Sequence, residues 1–167
     1  LHPAFSNLFV QTEIVRDKQA LLCTRRPRAH DEIPPWMFHL VAAHDADIVD
    51  ISYETDRARF IGRGLTPRDP LAMRQSGPLS DTAGSVLDPV VAIRVRVTLA
   101  PEQTAILDLV TGVGGDRDAC AALLDKYRDR RLADRVFDLA WTHSQVVRRQ
   151  IGASQGDARP GCGSTRD

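Results

Sequence analysis

The chain contains few cysteines, which argues against sites that are built from several cysteines. Three cysteines, Cys23, Cys120 and Cys162, occur among 167 residues. They are widely spaced and odd in number, which favours neither a disulfide framework nor a clustered metal site. We therefore predict no metal and no cofactor, and a reducing compartment.

The chain also lacks an excess of charge of either sign and any long apolar run. Lysine plus arginine number 22, as do aspartate plus glutamate, so the formal net charge is zero. A neutral chain has no long-range field that attracts nucleic acid or an anionic membrane. No apolar stretch approaches the roughly 20 residues that span a bilayer, and the N-terminus has no signal-peptide pattern. We expect a cytoplasmic segment that neither binds nucleic acid nor inserts directly into a membrane.

What the chain does contain is enough apolar material for one domain with a hydrophobic core. Hydrophobic residues make up 43% of the sequence and charged residues 26%, which is ordinary for a globular protein. The sequence begins at Leu1 rather than at methionine, in a run that reads like the interior of a domain. We therefore expect a piece of a longer polypeptide.

Over residues 7–99 the apolar residues mostly alternate with polar ones, as they do on half-buried strands. The clearest strand is predicted over 91–99, with arginines and a threonine on its second face. Its apolar face carries Ile93, Val95, Val97 and Leu99.

Two further strands follow from the same alternation, and three weaker ones complete a sheet-rich body. The first is predicted to hold Val49, Ile51 and Tyr53 on one face against Asp50, Ser52 and Glu54 on the other. The second is predicted to hold Trp36, Phe38, Leu40 and Ala42 together. The weaker strands are predicted over 8–14, 20–24 and 105–110, each bounded by turn residues.

Between Gly62 and Pro89 the composition changes to glycine, proline, serine, aspartate and arginine. We predict a long loop over this range. Loops of this length are uncommon inside compact domains and are often functional or packed against another element. We therefore expect the loop to cover a neighbouring domain or to line a groove.

The apolar period becomes helical after Gly115. Asp116 is a good N-cap, and Cys120, Leu124 and Tyr127 follow with the spacing of an amphipathic helix. A second helix is predicted from about residue 132 to residue 151. Strands followed by helices are typical of an α+β fold. The stretch after Ile151 lacks large apolar residues, so we expect a disordered tail.

Several motifs run in order along residues 2–151, and none lies in the tail. They are His2 to Leu8 with Thr12-Glu13, Asp56 to Gly64, Gly84 to Val90, Thr111-Gly112, Lys126-Tyr127, and Ala140 to Gln145. These motifs resemble those of glycoside hydrolase family 94, and the last three resemble in particular its branch of cyclic β-1,2-glucan synthases.

The resemblance implies an antiparallel β-sandwich that is part of a supersandwich, followed by helices that lead to a six-hairpin α-toroid. On this basis we predict three parts: residues 1–113 as the later part of the sandwich, 114–151 as a helical linker, and 152–167 as the disordered tail. The resemblance also implies that the toroid holds the active site. The toroid would lie outside this chain and would be its partner, and a homodimer is a further expected partner.

The chemistry implied by the family is phosphorolysis of a β-linked glucan with inversion, in which an aspartate of the toroid protonates the glycosidic oxygen. No residue of this chain matches that motif, so we predict no catalytic residue here. The parent enzyme would act on β-glucan and be anchored in the bacterial inner membrane. The carboxylates of the chain are plentiful, but their spacing singles out no acid–base pair of the kind that glycosidic chemistry needs.

The candidate contact residues are two aromatics and four arginines. An aromatic ring can stack on a sugar, although core packing is the commoner role. Arginine can donate to hydroxyl groups or hold loop carbonyls and carboxylates, and we favour structural ties to the toroid or to a partner subunit over direct glucan contact. The six candidates are Trp36, Tyr53, Arg57, Arg59, Arg63 and Arg68.

Two other patterns favour ordinary structural roles. The glycines of Gly112-Val113-Gly114-Gly115 resemble a phosphate-binding turn, but Asp116 would repel an anion, so we predict a turn from sheet to linker. His39 and His44 lie five residues apart on a strand and therefore face opposite sides, which disfavours a shared metal.

Three hypotheses for function remain open. The first is a non-catalytic sandwich and linker of a glucan synthase. The second is a free-standing carbohydrate-binding module. The third is an inactive truncated product. If part of a sandwich is missing, we also expect exposed apolar strand faces and self-association of the chain.

Overall fold

The computed structural model describes residues 9–152, which divide into two compact units. The first unit ends at Arg130, and the second begins at Arg131. The motif at His2 to Leu8 and the tail predicted over 152–167, except Gly152, lie outside the described residues.

The first unit contains seven strands and three helices. The strands are β1 (Val10–Val15), β2 (Ala20–Arg25), β3 (Trp36–His44), β4 (Asp47–Asp56), β5 (Gly84–Ser85), β6 (Pro89–Thr98) and β7 (Ile106–Gly114). The helices are α1 (Arg57–Ile61), α2 (Leu71–Arg74) and α3 (Arg117–Tyr127). A 3₁₀ turn over Arg16–Lys18 joins β1 to β2.

The strands form two antiparallel sheets. The larger sheet has the order β5-β1-β2-β3-β7, and the smaller sheet pairs β4 with β6. The chain passes from the larger sheet to the smaller one between β3 and β4, at Asp45 with φ +61°, and returns between β6 and β7. The predicted antiparallel α+β fold of sandwich type is confirmed, and all six predicted strands are present.

The main core lies between one face of the larger sheet and helix α3. The alternation predicted for β3 is confirmed, because Phe38, Leu40 and Ala42 are buried there and Trp36 packs against them. Cys120 and Leu124 supply the buried face of α3, as the helical spacing predicts. The side chain of Asp116 caps this helix by accepting a hydrogen bond from the backbone N–H of Ala119 at 2.7 Å.

The glycines near the end of β7 serve packing, and the predicted turn from sheet to linker occurs only after Gly114. The strand continues to Gly114. A Cβ atom at Gly112 would lie 2.5 Å from the ring of Phe38, and one at Gly114 would lie 2.9 Å from Cys120 Sγ. Both positions therefore require glycine so that the core side chains can approach the strand.

The alternation predicted for β4 is wrong at both of its ends. The register with β6 shifts between Ile48 and Asp50, and such a bulge reverses the facing of the residues before it. Val49 is consequently 59% exposed. At the other end of the strand the polar Ser52 and Glu54 are as buried as Tyr53, because a loop covers their side.

The long loop predicted between Gly62 and Pro89 is mostly irregular, as expected, but it contains α2 and β5. Two residues of β5 pair with β1, Ser85 with Gln11 and Gly84 with Thr12. The loop is thus attached to both sheets of its own unit.

Among the described residues the second unit contains one helix, α4 (Arg130–Gln150), which begins one residue before the unit. The predicted helix over about 132–151 is confirmed. One side of α4 is apolar, and Val136, Leu139 and Val146 on it are exposed. No helix among the described residues is long and apolar enough to cross a membrane.

Candidate functional site

The motif from Asp56 to Gly64 forms the short helix α1 and its two caps. The side chain of Asp56 accepts a hydrogen bond from the backbone N–H of Ala58 at 2.9 Å, which satisfies a free donor of the first turn. Gly62 ends the helix with φ +83°. A Cβ there would also lie 2.7 Å from Leu71 Cβ, so only glycine fits this cap.

Two of the four candidate arginines make ion pairs beside this helix. Arg57 lies 3.3 Å from the Asp88 carboxylate, and its backbone N–H donates to Asp88 O at 2.9 Å. Arg59 lies 3.7 Å from the Asp56 carboxylate. The contacts of Arg57 connect the start of α1 to the residue before β6, whereas that of Arg59 stays within α1 and its cap.

The other two candidate arginines lie further along the loop. Arg63 and Arg68 are exposed. Neither side chain forms an ion pair or hydrogen bond with another residue in the 9–152 range. The structure thus places Arg57 and Arg59 in local structural contacts and leaves Arg63 and Arg68 facing solvent.

The two candidate aromatics are both occupied by packing. Trp36 is half-buried against the main core, and Tyr53 is 0% exposed. Arg16 lies over the Tyr53 ring, 5.7 Å from its centroid, and burial raises the pKa of the tyrosine hydroxyl. A ring that a sugar stacks on must be exposed, so Tyr53 presents no stacking platform in this structure.

Residues 77–82 of the loop run along the outer edge of β4. The carboxylate of Asp81 accepts from the backbone N–H of Tyr53 at 2.7 Å, and the backbone N–H of Asp81 donates to Tyr53 O at 2.8 Å. Ser52 Oγ accepts from the backbone N–H of Leu79 at 2.9 Å. The loop thereby satisfies backbone groups of β4 that a neighbouring strand would otherwise pair.

A threonine network joins this edge to the larger sheet. Thr12 Oγ1 on β1 lies 2.7 Å from Thr55 Oγ1 on β4, and both residues are buried. Thr55 Oγ1 donates to Thr82 O at 2.7 Å, and Thr12 Oγ1 lies 3.1 Å from the backbone of Gly84. Arg16 adds an ion pair with Asp81 at 2.8 Å.

Glu54 is the one buried carboxylate on this edge, being 2% exposed. Its Oε1 accepts from the backbone N–H groups of Thr55 and Asp56, at 3.0 and 2.8 Å. Its Oε2 accepts from the hydroxyl of Ser80. Glu54 thus serves as a hydrogen-bond acceptor that ties the end of β4 to the loop.

Three carboxylates that lie beside arginine residues have pKa values below their ordinary range. The hydrogen bond and charge of Arg117 lower the pKa of Glu13, and those of Arg74 lower the pKa of Asp69. The backbone N–H of Arg28 and the nearby Arg25 lower the pKa of Glu32. A catalytic acid at a glycosidic bond needs a raised pKa, so all three shifts run in the opposite direction.

The opposite side of the sandwich, where β6 and β7 lie, is open. β7 ends the larger sheet and β6 ends the smaller one. The loop that covers the outer edge of β4 also pairs with β1, so β1 and β4 lie on the same side of the sandwich. β6 and β7, whose outer edges the loop does not cover, lie together on the other side. Among the described residues no strand pairs with their outer edges. Leu107, Leu109 and Val113 of β7 are 49%, 68% and 65% exposed.

A groove of about 550 Å³ opens between the sheets on this side. It is mainly apolar, and its two polar residues are tied into the fold. His39 Nδ1 lies 2.7 Å from Thr111 Oγ1, and burial lowers the pKa of His39. Arg94 donates to the carbonyl oxygens of Gly77 and Ala72. The apolar lining includes Val41, Phe60, Met73, Leu79, Ile93 and Leu109.

A smaller cavity of about 360 Å³ lies between β2 and the start of β6. Cys23 lines it, and burial raises the pKa of this thiol to about 11. The thiol stays protonated at neutral pH and is therefore a poor nucleophile and metal ligand.

Sequence reasoning missed the structural importance of Glu54 and Asp81. The alternation of the strand places Glu54 on a polar face, and the spacing of Asp81 does not distinguish it from the other carboxylates. The contacts of Asp81 span 28 and 65 residues, and no local pattern announces partners at that separation.

Comparison with known proteins places the chain in a family. The model of the supersandwich domain of glycosyl hydrolase 94 matches residues 1–130, the same residues that form the first compact unit. The chain belongs to this supersandwich family. The resemblance predicted from the motifs is therefore confirmed.

A curated relative extends the match beyond the supersandwich domain. The cyclic β-(1,2)-glucan synthase NdvB of Rhizobium meliloti (strain 1021) is 31% identical over 157 residues. That alignment covers 94% of this chain and 6% of the relative. The chain thus spans about one-sixteenth of the length of the curated relative that it matches.

Proposed function

We propose that this supersandwich chain is a non-catalytic scaffold in an enzyme that makes and trims β-1,2-glucans. Its role is to hold and orient a catalytic domain, the α-toroid, that other parts of the same polypeptide supply. The glucan comes from the name of the relative, which is a cyclic β-(1,2)-glucan synthase.

The observation that carries the proposal is the use of the carboxylates. Glu54 accepts three hydrogen bonds, Asp81 accepts from a strand and an arginine, and Asp56 and Asp116 cap helices. Cleavage of a glycosidic bond needs a carboxylic acid that gives up its proton next to the substrate. Side chains that already accept backbone and arginine donors are suited to hold the fold.

The side of the sandwich where β6 and β7 lie supports the scaffold role independently. Apolar residues along β7 and in the groove are exposed, whereas a module that acts alone normally covers such surfaces. A surface of this kind fits contact with other protein.

A graft into the Rhizobium protein tests the proposal. The segment of the Rhizobium protein that matches this chain is replaced by this chain. Glucan synthesis and glucan phosphorolysis by this graft are then compared with those of the same graft carrying Glu54→Gln. Glutamine can keep both backbone hydrogen bonds and donate to Ser80. We therefore expect both activities to stay within about twofold of those of the unmodified graft. A loss of about 1.4 kcal/mol of transition-state stabilisation would instead lower the rate about tenfold. A folded Glu54→Gln graft that loses most of either activity would assign Glu54 to the chemistry and overturn the proposal.

The isolated chain provides the second arm. Incubated with β-1,2-glucan and inorganic phosphate, it should release no glucose 1-phosphate. Calorimetric titration with linear and cyclic β-1,2-glucans should give no heat of binding, because Trp36 and Tyr53 are occupied by packing. Saturable binding that is lost on Arg63→Ala and Arg68→Ala substitution would instead support the free-standing carbohydrate-binding module.

A further inference from the structure

The chain leaves the first compact unit at a short joint between α3 and α4. α3 ends at Tyr127 and α4 begins at Arg130, so only Arg128 and Asp129 lie between the two helices. Arg130 is also the last residue of the first unit and the last residue that the supersandwich model matches. The joint therefore marks the end of the supersandwich domain.

A carboxylate on the core-facing side of β7 holds Arg130. Asp108 pairs with Ala42 of β3, and Ala42 belongs to the main core. Directly opposed residues of an antiparallel pair point to the same face of the sheet, so the Asp108 side chain points to the core side. Arg130 Nη1 donates to Asp108 Oδ1 at 2.5 Å, and His44 Nε2 lies 3.2 Å from Asp108 Oδ2. The carboxylate thus lies between the start of α4 and the end of β3.

The burial of Asp108 distinguishes this ion pair from those of the long loop. The Asp108 side chain is 14% exposed, whereas the carboxylate side chains that pair with Arg57 and Arg74 are 46% and 61% exposed. A buried charge is costly unless it is paired, and a partly buried pair is screened less than an exposed one. The pair therefore restrains Arg130 more firmly than a surface pair would.

Arg128 attaches the other end of the joint to the turn between β1 and β2. Its Nη1 donates to the carbonyl oxygen of Asp17 at 2.8 Å, and its backbone N–H donates to Leu124 O at 3.2 Å in the last turn of α3. Lys18 of the same turn donates to the carboxylate of Asp125 at 2.7 Å. Both ends of the joint are thus tied to strands of the larger sheet or to the turn between them.

We propose that Arg128 and Arg130 clamp the joint, with Asp108 as the positioning residue that holds the start of α4. The clamp fixes the point from which the chain enters the part of the polypeptide beyond this domain. Its effect on activity rests on the proposed function, because a scaffold can present a catalytic domain only from a fixed point. An inward charge on an edge strand can also hinder pairing with another strand, but that role needs no arginine partner.

Amide hydrogen exchange of the isolated chain tests the clamp directly. The reporters are the amides of residues 134–136, the first that can bond within α4. Asp108→Asn and Arg130→Gln each remove one charge of the pair. Hydrogen bonds to charged groups are among the stronger ones, so either change should speed exchange of these amides by about tenfold or more. Glu13→Gln is the matched control, because it removes the ion pair with Arg117 at the other end of α3, and it should leave these amides unchanged.

The double variant shows whether the two residues act as one pair. Arg130→Gln leaves a buried carboxylate unpaired, which is the costlier defect, and Asp108→Asn removes that charge. Adding Asp108→Asn to Arg130→Gln should therefore slow exchange again, toward the rate of Asp108→Asn alone. Effects that simply add would show that the two residues act independently, and they would overturn the clamp.

The graft into the Rhizobium protein tests the effect on activity. Asp108→Asn in the graft should lower kcat for glucan phosphorolysis by at least about fivefold, since small misplacements far from the chemistry are costly. KM for the glucan should stay within about twofold, because Asp108 contacts no substrate in this account. Glu13→Gln in the graft should leave both constants unchanged.

Arg128→Gln keeps the test decisive if Asp108→Asn does not fold. It removes the bond to Asp17 O without leaving a buried charge unpaired, and it should speed exchange of the same amides by a smaller factor. Unchanged exchange in every folded variant of Asp108, Arg130 and Arg128 would overturn the clamp. Faster exchange with a fully active Asp108→Asn graft would overturn the positioning role. Neither result touches the scaffold proposal, which falls only if the Glu54→Gln graft or the isolated chain gives the contrary results stated above.

Discussion

The two sides of the sandwich are completed in different ways. On one side residues 77–82 cover the edge of β4, and the larger sheet ends in the two-residue strand β5. On the other side β6 and β7 end their sheets as strands of ten and nine residues, and no described strand pairs with their outer edges. We call these the closed side and the open side.

The two sides differ in whether contacts within the chain bury and satisfy their side chains and backbone groups. The closed side buries polar groups and satisfies them within the chain, as Thr12, Thr55 and Glu54 illustrate. The open side leaves apolar groups in water, which carries a free-energy cost that contact with another protein surface would remove. The closed side is therefore completed by contacts within the chain, whereas the open side is the surface that we propose for contact with other protein.

Matched leucine truncations should give the largest contrast. Leu40 is 0% exposed in the core and Leu109 is 68% exposed on the open side. Leu40→Ala should lower the free energy of unfolding by about 2–5 kcal/mol, because it leaves a cavity. Leu109→Ala should change it by less than about 0.5 kcal/mol. Urea denaturation of both variants as monomers measures this contrast, and similar losses would remove the distinction between the two regions.

Matched aspartate truncations should give the next largest contrast. Asp81→Ala leaves the backbone N–H of Tyr53 without its acceptor and places alanine at φ +54°, so it should cost about 1–3 kcal/mol. Asp69→Ala removes an exposed ion pair with Arg74 and should cost less than about 1 kcal/mol. Denaturation midpoints that fall equally would show that residues 77–82 do not hold the closed side.

The N-cap of α3 should contribute to the free energy of unfolding about as much as a typical N-cap in other proteins does. Asp116→Ala removes the acceptor for Ala119 N–H and should cost about 1 kcal/mol. Asp118→Ala changes a residue two positions later that makes no capping bond, and it should cost clearly less. A larger loss for Asp118→Ala would contradict the assignment of the cap.

The smallest effect is a pH dependence at the contact between β1 and α3. Arg117 lowers the pKa of Glu13 below its ordinary value of 4.5. A carboxylate with a lowered folded-state pKa stabilises the fold above its unfolded-state pKa, and this contribution is lost as pH falls through the folded-state pKa. Glu13→Gln should therefore melt slightly below the unmodified chain at pH 7, and the difference should vanish toward pH 3. A difference that persists at pH 3 would show that it comes from packing.

Local patterns predicted the elements well where one face of a strand or helix is buried throughout. The alternation from Trp36 to Ala42 and the helical spacing of Cys120 and Leu124 both proved correct, because each set faces the same core. The family motifs also predicted the family, which the supersandwich model confirms over residues 1–130.

Long-range contacts account for what the patterns missed. Ser52 and Glu54 read as a solvent-facing row, but the loop that covers them lies 26 and more residues away in sequence. Val49 faces solvent because the register of β4 shifts beside it. Gly112 read as a turn residue, whereas the ring of Phe38 on a neighbouring strand is what requires it. The division predicted at residues 113 and 114 stays a prediction.

Amide hydrogen exchange, followed by residue at a concentration where the chain is monomeric, tests the central claim most directly. The account holds that backbone groups of the closed side are hydrogen-bonded within the chain and that those on the edges of the open side are not. Amides of β4 that face residues 77–82 should therefore exchange slowly, as paired amides do. The amides on the outer edges of β6 and β7 should exchange quickly. Slow exchange along both edges of the isolated monomer would contradict the account, because it would mean that the open side is already covered.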